Sequence, residues 1–365
     1  MSTDARPELG DAEMRSLSRR TRPAAIPAIR TRGLEGLYEW MAVAELADLS
    51  VWPGVTRARL MGRRWIEAEP LVDDAEACLA MIRRLLRDAD HLADPAQGIY
   101  EVSLPLARVT VYLDWAPWPI LVVRSHRSRP ERLVDLVAWG TLTQELADEL
   151  ARAVRVGVTV LISGATDSGK TALAAALCHD AIPEDEQIVT IEDTYELGLH
   201  SARPSSVLPF LARPANVEGA GERTMALLTR GALRASPDRV LVGEVRGPEA
   251  LYMIRAMESG AKGSIGTIHS DSAPAALERL CDYIIEGGGG RSDDYVARMV
   301  ARHVHLVVHL EVEAGQHYVA EVYEVTGAED GRIHGGALWR AGDDLVPRRT
   351  GVAASPPLAR KLARR

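Results

Sequence analysis

Four short runs from Val158 onward, VTVLIS, QIVTIED, DRVLVGE and GSIGTIH, are apolar at most positions and rich in β-branched residues. Continuous rather than alternating apolar character over so few residues predicts strands buried on both faces. The runs are separated by polar turns and helical patterns such as TALAAALC and EALYMIRAMESG, the latter opening near Pro248 and stopping at Gly260. The repeat predicts an α/β domain, a mostly parallel sheet with helices on both faces. Ligands of such sheets bind beyond the carboxyl ends of the strands. Each run ends there on something polar: the loop at Gly164, Glu192-Asp193, Glu244 and His269. Four chemical groups are therefore predicted to converge on one crevice.

Earlier in the chain the pattern differs. GLYEWMAVAELADL reads as helix, TRARLMGRRWIEAE as strand, DAEACLAMIRRLLRDA as helix, and IYEVSLPLARVTVYLDW and ILVVRS as β-rich, which predicts a small α+β domain over residues 36–125. Residues 1–35 hold Arg, Pro and charge without sustained periodicity and read as a mobile arm, with a short helix around Ala12 to Ser18. RSHRSRPERL has the charge and proline of a linker, so 126–140 reads as linker and entry to the main domain, 141–340 as that domain, and 341–365 as a basic, solvated tail able to touch acidic lipid. HLVVHLEVEAGQHYVAEVYEVTG predicts an antiparallel hairpin turning at Glu313 to Gly315, and Gly287 to Gly290 a flexible loop.

Composition narrows the function. With 365 residues, 47% of them apolar and 26% charged, the chain can build two ordinary globular cores. A formal net charge of −8 and only 5% aromatic residues argue against a surface that wraps nucleic acid or stacks single strands. No apolar run approaches the length of a bilayer span, and Arg19-Arg20 is followed only by the proline-broken AAIPAI, so the expected location is cytoplasmic. Cys78, Cys178 and Cys281 are too few and too scattered for a disulfide framework or a metal site.

GATDSGKT, Gly164 to Thr171, lies between the first apolar run and a helical pattern. Gly164 and Gly169 permit backbone angles closed to other residues, so the N–H groups of Ala165, Thr166, Asp167, Ser168 and their neighbours can line one concavity the size of a phosphate. Lys170 adds a positive charge for the outer phosphates, the Thr171 hydroxyl suits Mg²⁺, and the helix that starts at Lys170 offers unpaired N–H groups. The anion expected there is a nucleoside triphosphate. Glu244, ending VLVGE where Asp-Glu would be common, is placed to act on Mg²⁺ or on an attacking water. Glu192, Asp193 and Glu196 are clustered carboxylates that suit a water or a metal, or alternatively a helix N-terminal charge cluster. Asp193 joins Thr171 and Glu244 as a candidate metal position. Arg230 and Arg234 share a helix face and suit carboxylates or phosphate.

GATDSGKT, IVTIEDTYEL, RPANVEGAGERTM, ALRASPDRVLVGEVRGPEAL and GSIGTIHS, in this order and spacing, resemble the secretion-ATPase family of type II secretion, type IV pili and conjugative type IV secretion. RPANVEG and GEVRGPEAL look most like its tight-adherence pilus branch. The resemblance spans roughly Leu133 to Gly327 and implies a RecA-like P-loop ATPase domain, ATP with Mg²⁺, and hexameric rings working at the cytoplasmic membrane with an inner-membrane platform protein. It further implies an Asp box at Glu192 to Glu196 with Glu196 as general base, an atypical Walker B ending in Glu244, a His box containing His269, and an arginine supplied to the nucleotide by the N-terminal domain. Arg124 aligns best with that arginine, and Arg213 is a second candidate. Asp167 departs from the small residue usual in the loop, and reads either as a screened carboxylate at the site mouth or as a device that weakens nucleotide binding. The implied function is ATP hydrolysis driving pilus assembly or secretion. A nucleic-acid motor and a nucleotide-binding scaffold are the alternatives.

Overall fold

The computed structural model describes residues 34–43, 46–60, 64–88, 98–104, 107–125, 132–199, 203, 205–213, 215, 220–288 and 290–363, in two compact units, 1–129 and 130–365. Residues 1–33 of the expected N-terminal arm, its short helix included, lie outside the described residues, as do Gly289, Arg364 and Arg365, whereas Leu34 and Glu35 are not arm: Leu34 is buried in the first unit's core and Glu35 opens helix Glu35–Met41.

The first unit is an antiparallel sheet of β1 (Leu46–Trp52), β2 (Val55–Leu60), β3 (Trp65–Ala68), β4 (Ile99–Leu104), β5 (Ala107–Tyr112) and β6 (Ile120–Ser125), in the order β3-β2-β1-β6-β5-β4. Helix Ala75–Asp88 buries Cys78, Met81, Ile82, Leu85 and Leu86, an i, i+3, i+4, i+7, i+8 stripe, in the same core as Leu49, Val109 and Val123. Two expectations need correction here. The helix read across GLYEWMAVAELADL ends at Met41, and LADLSVW is β1, whose backbone is paired on one side by β2 and on the other by β6. Pairing on both edges overrides a helical apolar spacing. The segment read as a single strand from Thr56 is the antiparallel pair β2 and β3, with Thr56 opposite Ala68.

The second unit is built on a sheet of β7 (Val160–Gly164), β8 (Ile188–Glu192), β9 (Val207–Leu211), β10 (Arg239–Val245), β11 (Ile265–His269), β12 (Leu306–Glu313), β13 (Gln316–Glu329), β14 (Arg332–Ala341) and β15 (Pro347–Arg349). Its order is β15-β14-β13-β12-β7-β11-β10-β8-β9. The four apolar runs are the adjacent, mutually parallel strands β7, β11, β10 and β8. β9 and β12 extend the parallel region on either side, and β12 to β15 continue it as an antiparallel meander. The β12–β13 turn is Ala314-Gly315, both at positive φ, as a two-residue hairpin connection requires.

Helices cover both faces. On one side Leu133–Ala138, Gln144–Arg155 and Lys170–Ala181 pack on Val160, Ile162 and Val308; on the other Met225–Ala232, Glu249–Glu258, Ala273–Glu286 and Asp293–His303 pack on Leu161, Val240, Val242 and Val307. Lys170–Ala181 has no polar face because nearly all of it is buried, from Lys170 to Ala181. The buried guanidinium of Arg203 donates to the carbonyls of Cys178 and Ile182 and so closes that helix at its negative end. Cys78 and Cys178 are buried free thiols, both pushed up by burial, the former to about 11.

The basic C-terminal segment is not a solvated tail. β15 pairs with β14, Ser355 caps helix Pro356–Leu362, the buried Glu324 accepts from the Ser355 N–H at 2.9 Å, and Leu358 enters the core. Burial of one leucine and one satisfied carboxylate is enough to hold so short a helix against the unit. Among the described residues no helix is long and apolar enough to cross a membrane.

Candidate functional site

The carboxyl ends of β7, β11, β10 and β8 bring the predicted groups together. Gly164 is the last residue of β7 and pairs with His269 on one side and Leu310 on the other. A Cβ on Gly164 would stand 2.3 Å from the Leu310 carbonyl oxygen and 2.6 Å from Ser168 Oγ, so the close approach of β12 demands glycine there. Gly169 turns into helix Lys170–Ala181 in a left-handed conformation, and Asp167 is left-handed too, with φ of 60°. Asp is one of the few side chains that tolerates this region. The departure from a small residue in the loop is therefore compatible with its backbone.

Lys170 is 6% exposed. Its Nζ donates to the carbonyls of Gly164 at 3.0 Å and Ala165 at 2.6 Å and lies 3.4 Å from His269 Nδ1. Burial lowers its pKa to about 8, against the opposing pull of the Glu244, Asp167 and Glu196 carboxylates. Ser168 Oγ is fully buried with no hydrogen-bond partner among the described residues. These are marks of a cradle made for a polar group: a buried ammonium held on the loop carbonyls, and a hydroxyl left to be satisfied.

Around the cradle, Thr171 Oγ1 donates to Glu196 Oε2 at 3.4 Å. His269 Nε2 stands 3.1 Å from Glu244 Oε1, and Arg246 Nη1 stands 3.6 Å from Glu244 Oε2. The His269 pKa is lowered by burial and by the Lys170 charge, partly offset by Glu244, so the ring is neutral at pH 7. Glu192 is 2% exposed, and its Oε1 accepts the N–H groups of Glu196 and Leu197, both at 2.7 Å. Asp193 is engaged by Arg246 at 2.7 Å.

Arg246, which reaches both Asp193 and Glu244, is the group that sequence reasoning left without a role. It sits inside GEVRGPEAL, but nothing in its spacing separates it from a solvated arginine. Glu249 in the same motif accepts the Arg246 N–H at 2.6 Å and is buried at the start of its own helix. Arg213 is exposed beside Arg223 and donates to the Gly221 carbonyl at 3.2 Å. Arg124 belongs to the first unit, on β6 opposite Asp48, and its Nε lies 3.3 Å from that carboxylate.

Residues 102–331 match the family described as type II/IV secretion system protein. The type IV secretion system protein PtlH of Bordetella pertussis is 36% identical over 61% of this chain and 62% of its own length. The conjugal transfer protein TrbB of Rhizobium radiobacter is 30% identical over 56% of this chain and 64% of its own. The chain thus spans less than two thirds of the length of these relatives. The X-ray structure of the Yersinia pseudotuberculosis ATPase DotB shares the fold, with a TM-score of 0.55, 16% identity, and coverage of 85% of this chain and 82% of that one. With a small α+β unit followed by an α/β unit of parallel strands and covering helices, and with more than half of its length matched, the chain belongs to the type II/IV secretion system protein family.

Proposed function

We propose that the chain is a Mg²⁺-dependent ATPase that drives secretion or pilus assembly as a ring-shaped motor. The observation that carries this reading is the Lys170 ammonium, buried in a glycine-bounded loop at the end of β7 with Thr171 and Glu196 on one side and His269 and Glu244 on the other. A nucleotide fits this place by the chemistry of its donors: a buried hydroxyl on Ser168 and a left-handed turn into a helix N-terminus. Thr171 and Glu244 supply hard oxygen donors of the kind Mg²⁺ takes when it arrives with phosphate and keeps part of its water shell. When bound, Mg²⁺ would neutralise charge on the phosphates.

The chain's own groups do the remainder. Lys170 would turn from the loop carbonyls to the outer phosphates, and Glu196 would take the proton of an attacking water. Arg246 holds Asp193 at 2.7 Å but stands 3.6 Å from Glu244, so Thr171 and Glu244 are the better metal positions. Arg124 and Arg213 remain the proposed sources of a nucleotide-contacting arginine. The names of the relatives support a place in type IV secretion or conjugal transfer, while the tight-adherence reading rests on RPANVEG and GEVRGPEAL. A ring at the cytoplasmic membrane, with a platform protein as partner, completes the proposal. Phosphate release by the wild type, Lys170→Ala and Glu196→Gln tests it. Lys170→Ala should lose ATP binding and turnover together, while Glu196→Gln should bind ATP and turn it over at least about a hundredfold more slowly. Equal loss of binding in both removes Glu196 as the base.

A further inference from the structure

Gly243 stands where an aspartate is common at the end of this strand, and nothing about its backbone requires glycine, since its φ is not in the left-handed region. Room is the reason. A Cβ on Gly243 would lie 3.1 Å from Glu192 Cγ and 3.4 Å from the Ile191 carbonyl oxygen, so Glu192 would have to give way by a few tenths of an ångström. The β10–β11 ladder shifts register between Val242 and Val245, and Thr267 Oγ1 donates to the Gly243 carbonyl at 2.6 Å, so this strand end is fixed rather than free to yield. Glu192 in turn is buried, and one of its oxygens gathers two successive N–H groups, those of Glu196 and Leu197. A carboxylate spanning two amides in this way sets the turn that carries Glu196 to Thr171.

We propose that Glu192 is a positioning residue rather than an acid or base, and that Gly243 is the empty place that lets it hold Glu196 opposite Thr171. The inference rests on the ATPase reading for its kinetic consequences and on geometry alone for its structural ones. A carboxylate contributed from β8 occupies space that an aspartate side chain on β10 would need. The strand end that would ordinarily carry two acidic residues therefore carries one.

The test uses the full-length protein and four variants: Gly243→Ala, Gly243→Val, Glu192→Gln and Glu192→Ala. Glu192→Gln keeps the shape and an accepting oxygen, and is expected to lose about threefold in kcat. Gly243→Val removes no chemical group and is expected to lose at least about tenfold in kcat, with Gly243→Ala between it and the wild type, and Kd for ATP within about twofold throughout. Glu192→Ala should match Gly243→Val. Hydrogen exchange at the Glu196 and Leu197 amides gives a readout independent of turnover: protection should persist in Glu192→Gln and fall in Gly243→Val and Glu192→Ala, while the amides of β8 stay protected. A Glu192→Gln variant as inactive as Glu196→Gln, or a Gly243→Val variant with wild-type rate and protection, overturns the proposal. Should the wild type neither bind nor hydrolyse ATP, the functional reading fails while the exchange experiment still decides this one.

Discussion

The Lys170 ammonium lies 3.4 Å from His269 Nδ1, and His269 Nε2 lies 3.1 Å from Glu244 Oε1, so the imidazole stands between a cation and a carboxylate. Histidine here is a neutral bridge between the phosphate-loop lysine and the carboxylate at the end of β10. Its protonation would place two cations side by side. Because burial and Lys170 lower its pKa below 6.5, kcat should stay level down to pH 6.5 and fall only further into acid. His269→Gln keeps an amide donor for Glu244 and should lose that acid limb. His269→Ala should lose about ten- to a hundredfold in kcat with nearly unchanged ATP affinity. A pH–rate series on the three proteins checks both expectations.

Burial lowers the Lys170 pKa to about 8, and phosphate beside it would raise that value. The sign follows from linkage: a group whose pKa rises on binding contributes fully below its free pKa and is lost above it. Kd for ATP should therefore be flat to about pH 7.5 and increase toward tenfold per unit above pH 8. Lys170→Arg, charged throughout, should bind less tightly but without the slope. Calorimetric titration from pH 6.5 to 9.5 is the measurement.

Asp167 carries its charge into the loop from a left-handed backbone, and that charge is felt at Lys170. Asp167→Asn retains tolerance of the left-handed region while removing the charge, and should tighten ADP about threefold at low ionic strength, the gain shrinking as salt rises. Asp167→Ala should show the same affinity change together with a stability loss of about 1 kcal/mol from backbone strain. ADP titrations at two salt concentrations, with melting curves alongside, separate the electrostatic effect from the steric one.

His305 accepts the Thr159 N–H at 3.1 Å, and burial, with the Lys361 charge second, lowers its pKa to about 4. Its folded pKa is depressed, so the unfolded chain takes up the proton first as pH drops below 6.5. Stability should fall between pH 6.5 and 4 by up to about 3 kcal/mol from this residue. His305→Asn should flatten that part of the curve, as urea unfolding across the range would show.

The α/β unit was legible because its strands are buried on both faces and so read as unbroken apolar runs with chemistry at their ends. Glu196, Glu244, His269 and Lys170 lie together for that reason. The first unit was less legible: in LADLSVW the apolar spacing suits helix and strand alike, and only the two flanking strands decide between them. Pairwise devices were also hidden. Gly243 has meaning only beside Glu192, and Arg246 only through its grip on Asp193, and both of these partners lie roughly fifty positions away in sequence. The C-terminal helix was read as tail because its seven residues are too few to show a period.

β12 lies against β7, and Ser163 meets His309 across 146 positions of chain at 2.9 Å, with the Leu310 carbonyl pressed to Gly164. During synthesis the strand that ends in the phosphate loop must therefore wait for its inner neighbour. At about 5–20 residues per second the delay is roughly 7–30 s. Throughout that interval β7 exposes an unpaired apolar edge and the loop lacks the wall that shapes it. Competence to hold nucleotide would arise late and all at once, when β12 is emplaced, so a nascent chain halted before residue 306 should fail to be retained on immobilised ATP.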